Sequence, residues 1–210
     1  MTVLTVDPVS CRVEDFRDAV EWLRAGRIIA FPTDTFYGLA VDPASSPAVR
    51  DLFRLKGRPA EVAVPLIASS LAQVESLGVP WTAAMKTLAR TFWPGPVSLI
   101  CEAPAGISPG VHGGAGTVAI RVPDHRVART LADAWGAPIT ATSANRSGEP
   151  PVQSAEALTF LAADATVLVV DGGMTPGGAP STIVDARGET PVLVRAGAIA
   201  WNRVLESIQG

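Results

Sequence analysis

The chain has 210 residues, 48% of them apolar and 18% charged, with a formal net charge of −3. Two cysteines and two histidines, with no C-x-x-C and no H-E-x-x-H spacing, exclude a disulfide framework and a conventional zinc site. The acidic balance argues against nucleic acid as the main source of affinity. No apolar run reaches the roughly 18 residues of a membrane span. The first residues, MTVLTVDPVSCR, lack the basic segment and apolar stretch of a secretory signal, so the expectation is a soluble cytoplasmic chain without membrane contact.

Helical and strand periods alternate from there on. Val13, Phe16, Val20 and Leu23 fall at helical spacing, and Gly26 stops that helix. RIIAF (27–31) reads as a buried strand. Ser46–Pro47 reads as a helix cap with a first-turn proline, opening a helix to about Lys56 that faces Val49, Leu52 and Phe53 inward and ends at Gly57. VAVPLIA (62–68) reads as a strand that Pro65 confines to an edge or a bulge. Helices are expected around 70–77 and 81–92, and strands over 96–101 and 117–122. Asp124 is the expected cap of a helix to about Trp135. A strand over 138–143 and a Ser154-capped helix to about Ala162 come next. Strands over 166–170, 181–186 and 191–195 and a helix over 199–208 complete the pattern. No repeat or linker interrupts it. It predicts an α/β fold, a single domain over 1–210 with a twisted mixed sheet of about seven strands flanked by helices.

No nucleotide-binding glycine motif sits between a strand and a helix. GVHGGAG (110–116) is glycine-rich but precedes a strand. Ser143 lacks a G-x-S-x-G setting, and Cys101 lies inside an apolar strand as a small hydrophobe. Lys56 and Arg58, in KGRP, stand where a helix ends. They could meet the helix's terminal carbonyls, or they could hold phosphate oxygens, Arg by its planar fork and Lys as a point charge. Two hydroxyl-rich loops, PTDTFYG (32–38) and TSAN (142–145), each follow a strand. Ligands in α/β proteins bind at such strand ends, so the two loops suggest one shared crevice.

Seven segments in order carry more than any one alone: PTDTFYGLA (32–40), LKGRP (55–59), FWPGPVSLI (92–100), TVAIRVPDH (117–125), ATSANRSGEP (141–150), STIVD (181–185) and VRAGAI (194–199). Over about residues 12–200 the chain resembles the YrdC-type threonylcarbamoyl-AMP synthases, in the short form. The resemblance implies a YrdC-like single domain with a large concave cleft. It implies synthesis of threonylcarbamoyl adenylate and pyrophosphate from L-threonine, bicarbonate or CO2, and ATP with Mg2+. A separate complex would then pass the threonylcarbamoyl group to tRNA, and a weak direct tRNA contact stays open. By motif position, Thr35, Arg121, Ala141 and Ser181 would hold threonine. Lys56, Arg58, Thr117, Ser143, Asn145 and Arg195 would hold ATP, with Lys56 and Arg58 offsetting phosphate charge during the reaction.

The sequence departs from the family pattern at Val62–Ala63, where Lys or Asn followed by Pro is usual, and at Ala196, where Pro is usual in VRAG. Two other functions remain in view: an RNA-binding module, and the carbamoyl-adenylate chemistry of the related domain in hydrogenase-maturation carbamoyltransferases.

Overall fold

The computed structural model describes residues 2–57, 62–161 and 166–209. It is a mixed α/β structure in which eleven strands divide between two sheets. The first sheet takes β1 (Thr2–Thr5), β9 (Val167–Asp171), β2 (Ile28–Phe31), β3 (Gly38–Ala40) and β8 (Thr142–Ser143), in that spatial order. The second runs β11 (Val192–Arg195), β10 (Thr182–Asp185), β5 (Val97–Glu102), β6 (Thr117–Arg121), β4 (Leu66–Ile67), β7 (Ile139–Thr140). Parallel pairs (β1 with β9, β9 with β2, β10 with β5, β4 with β6) mix with antiparallel ones.

The sequence pattern reads as one sheet. The split into two turns on the segment expected as a single strand over 138–143. Its first half, β7, pairs with β4, and its second half, β8, pairs with β3 in the other sheet. Ala141 lies at the crossing, where its amide donates to the Pro65 carbonyl at 2.8 Å. Alternating apolar residues reveal a strand but not its partner, so this switch is invisible to periodicity.

Strands buried on both faces explain the continuous apolar runs. Along β2, Ile28 and Ala30 enter one core, and Ile29 and Phe31 enter another. Along β9, Val167 and Val169 join the first, and Leu168 and Val170 the second. The alternation follows from the two-residue period of a strand with helices or sheet on each side. The first core also takes Val49, Leu52 and Phe53 from α2 (Ser46–Lys56), and the second takes Leu23 from α1 (Arg17–Arg24) and Leu131 from α6 (Arg126–Trp135).

Several local expectations are corrected. The cap of α2 is Ser45, whose side chain accepts from the Ala48 amide, and Ser46 is already helical. Gly57 ends α2 at φ 59°, a left-handed cap open to glycine at little steric cost. The strand expected over 62–68 shortens to Leu66–Ile67, because Pro65 has no amide for the ladder. His125, not Asp124, precedes α6; the Asp124 carboxylate instead accepts from Arg129 at 3.2 Å. The Ser154-capped helix is replaced, among the described residues, by a 3-10 turn at Thr159–Leu161, and its expected end at Ala162 lies outside them. Three elements were missed: β1, β3 and the short helix α5 (Pro109–His112) in the glycine-rich stretch. The expected helices over 70–77, 81–92 and 199–208 appear as α3 (Leu71–Glu75), α4 (Ala83–Phe92) and α7 (Trp201–Gln209).

Candidate functional site

A cleft of about 700 Å³ is lined from both sheets. Sheet one contributes the turn between β2 and β3, together with β8; sheet two contributes β4, Ser98 of β5, Arg121 of β6 and Arg195 of β11. Thr35, Arg121, Ala141, Ser143, Ser181 and Arg195, far apart in sequence, all line it. The two hydroxyl-rich loops therefore meet in one crevice.

The first loop is ordered from within. Thr33 is buried, and its hydroxyl donates to the Phe36 carbonyl at 2.7 Å and accepts from the Thr35 amide at 3.2 Å. The Thr33 and Thr35 hydroxyls lie 3.2 Å apart. Tyr37, fully buried, donates its phenol proton to the Gly173 carbonyl at 2.7 Å. Burial, then the Asp171 carboxylate, raises the Tyr37 phenol well above its ordinary value, so it stays a proton donor. The Ala144 amide donates to the Tyr37 carbonyl, and the Gly177 amide donates to the Thr35 carbonyl. Three loops are thus tied together by main-chain bonds around the cleft.

Arg121 ends β6 with only 8% of its surface exposed. Its Nη1 donates to both carboxylate oxygens of Asp34, at 2.7 and 2.8 Å, and lies 3.5 Å from the Gly95 carbonyl. Arg195 presents the opposite edge to the chain. Its Nε and Nη2 donate to the Ser181 carbonyl at 3.2 and 2.7 Å, and Nη2 donates to the Ser181 hydroxyl at 3.0 Å. Ser181 in turn shares a 3.0 Å hydroxyl contact with buried Ser98. Desolvation, then the charge of Arg121, lowers the pKa of Arg195 from its ordinary value, so the two guanidiniums feel one another across the cleft. Behind Arg195 the chain needs glycine: a Cβ on Gly197 would collide with the Pro180 carbonyl and the Ser181 backbone.

The remaining residues lie elsewhere. Lys56 is buried at the end of α2 and lines a second hollow of about 740 Å³ with Arg27, Arg54 and Arg146. Its ammonium donates to the Ser143 carbonyl at 2.5 Å and to the Asn145 carbonyl at 2.8 Å. The reading in which it meets its own helix's terminal carbonyls is corrected: it grips carbonyls, but those of the TSAN loop. Asn145 is buried, and its amide donates to the Arg146 and Glu149 carbonyls. Thr117 opens β6, about 13 Å along the strand from Arg121, and does not line the cleft. Arg58 lies outside the described residues. Of the Val62–Ala63 departure, Ala63 lines the cleft.

Sequence reasoning missed Asp34, Thr33, Tyr37 and Ser98 as parts of the site. Asp34 and Thr33 stand inside the PTDT segment, but only burial and pairing distinguish them from turn residues. Among the described residues, no group of three or more His, Cys, Asp or Glu is placed to hold a metal, and no helix is long and apolar enough to cross a membrane.

The site defines a class: an α/β protein with a cleft between two sheets lined by guanidiniums and hydroxyls. The model of the Sua5_yciO_yrdC family, described as telomere recombination, matches residues 21–197, and the chain belongs to that family. It is 37% identical to the threonylcarbamoyl-AMP synthase of Bacillus subtilis over 200 residues, covering 94% of this chain and 58% of that protein. The chain therefore spans less than two thirds of that relative's length. It is also 37% identical to the threonylcarbamoyl-AMP synthase of Vibrio cholerae over 177 residues, covering 83% of this chain and 94% of that one. Its fold matches the crystal structure of Pyrococcus abyssi Sua5 complexed with L-threonine at a TM-score of 0.90 and 33% identity, over 99% of this chain and 61% of the other.

Proposed function

We propose that this chain is an L-threonylcarbamoyladenylate synthase, a nucleotidyltransferase using L-threonine, bicarbonate and ATP. The observation that carries the reading is the open edge of Arg121. Among the described residues, its Nε and Nη2 make no hydrogen bond, while Nη1 is fixed by Asp34. That side edge matches a carboxylate with two parallel bonds. Thr35, Ser181 and the Ala141 main chain surround the same cleft, in keeping with an amine and a hydroxyl to be held.

The chemistry places few demands on the protein beyond position and charge. The threonine amine adds to CO2, losing a proton, to give a carbamate. A carbamate oxygen attacks the α-phosphorus of ATP, the bond to the bridging oxygen breaks, and pyrophosphate leaves. No protein nucleophile is needed; holding the reactants in line and offsetting phosphate charge supply the rate. In this reading Ser143 and Arg195 meet ATP in the cleft. Lys56 and Asn145 support it through the TSAN loop, and Arg58 and Thr117 complete the set. Mg2+ enters as part of the ATP substrate: such a hard cation is held by phosphate oxygens and water, and the nearby Asp34 carboxylate is engaged by Arg121.

A cytoplasmic enzyme feeding a tRNA threonylcarbamoyl-transfer complex is the proposed context, with no membrane partner. The test is pyrophosphate release with each substrate omitted in turn. The expected result is release that requires ATP, threonine and bicarbonate together. Release indifferent to threonine overturns the reading, and substitution of carbamoyl phosphate for threonine and bicarbonate separates carbamoyl-adenylate chemistry from it.

A further inference from the structure

We infer that Asp34 is a positioning residue that sets the cleft's selectivity for a carboxylate-bearing amino acid, by deciding which edge of Arg121 faces the ligand. The inference rests on the proposed threonine site.

Asp34 does not line the cleft. It lies behind Arg121, and both side chains are only 10% exposed. Its two oxygens converge on one nitrogen, Nη1, and its Oδ2 also accepts from the Asp124 amide at 3.3 Å. The Asp34 carboxylate is therefore anchored to the chain that follows β6, where Arg121 sits. Asp34 itself belongs to the loop that carries Thr33 and Thr35. One carboxylate thus fixes the register between the loop bearing Thr35 and the strand bearing Arg121.

Stability alone gives little reason for this pair. A close ion pair with so little exposure loses hydration on both sides, and apolar replacements of similar volume are often neutral or stabilising. Orientation is a different matter. A guanidinium can present its Nη1–Nη2 end or its Nε–Nη2 side to a ligand. With Nη1 held by Asp34, the side remains, and a ligand with two coplanar oxygens fits it while a carboxamide fits it poorly, because the amide NH2 would face a donor.

The prediction is read by calorimetric titration of L-threonine and L-threoninamide into the full chain, wild type and Asp34→Asn. Wild type binds threonine well above threoninamide. In Asp34→Asn, threonine affinity falls on the order of 10- to 100-fold, threoninamide affinity changes little, and ATP affinity is retained. A purely structural role would weaken both amino-acid ligands by the same factor, so an unchanged ratio overturns the inference. If Asp34→Asn lacks a cooperative thermal transition, Asp34→Glu carries the test: it keeps the charge but displaces the guanidinium by a methylene, and an unchanged ratio in that variant also overturns it. Failure of the wild type to bind threonine overturns the proposed function itself, and a wild type that binds threonine with a variant that keeps its selectivity overturns only the role of Asp34.

Discussion

Two buried cations, Arg121 and Lys56, stand in neighbouring regions of the molecule, each at the end of a regular element, 8% and 4% exposed. In the cleft between the sheets, Arg121 meets a carboxylate at one nitrogen, and among the described residues its Nε–Nη2 side makes no hydrogen bond. Around the second hollow, three cations face the chain's own groups. Lys56 holds the Ser143 and Asn145 carbonyls, Arg54 pairs with Asp51, and Arg27 stacks over Trp22 at 4.5 Å. Charge and burial are alike at Arg121 and Lys56, and what differs is where the hydrogen-bond donors point. A basic residue near a motif is thus not by itself a ligand contact.

The contrast breaks most readily at Arg121. Replacement by Gln is expected to weaken threonine binding about 100-fold, near 3 kcal/mol, because the ligand carboxylate loses a charged fork and Asp34 is left unpaired. Isothermal titration measures it, and a loss below threefold would place the carboxylate elsewhere. Lys56→Met should act differently, raising the KM for ATP more than that for threonine. It also removes charged bonds to two loop carbonyls, worth about 2 kcal/mol of stability, visible as a thermal shift of several degrees. Equal effects on both substrates would erase the distinction between the regions.

Smaller effects sharpen it. Ser98→Ala removes the hydroxyl that meets Ser181, with an expected cost of about 1 kcal/mol in stability and a few-fold loss in activity. The smallest concerns pH. Burial is the main cause of the lowered pKa of His125, with Arg129 adding to it against Asp34 and Asp124. The unfolded state then binds more protons, so the contribution of neutral His125 is present above its ordinary value near 6.5 and is lost as pH falls from there towards the folded value. Denaturant melts from pH 7.5 to 5.5 should show that slope, and it should flatten in His125→Gln.

Much of this was legible in the residues. The strands RIIAF and TVAIRV, the inward face of Val49, Leu52 and Phe53, and the meeting of PTDT with TSAN follow from periodicity and from loops placed at strand ends. The two-sheet division was not, because residues 139–143 change partners at Ala141 and pairing leaves no trace in the alternation. Nor was the direction of Lys56. Spacing located it at a helix end, but which carbonyls it reaches depends on a loop some ninety residues further along the chain. Asp34 shows the same limit from the other side. Its residue type suits a turn, and only a buried partner 87 positions away gives it another role.

The most direct measurement is a crystal structure of the chain with L-threonine. The expected structure has the ligand carboxylate on Nε and Nη2 of Arg121, with Asp34 still on Nη1 and the ligand hydroxyl and amine among Thr35, Ser181 and the Ala141 main chain. Threonine bound in the hollow beside Lys56, or a carboxylate that displaces Asp34 from Nη1, would contradict it.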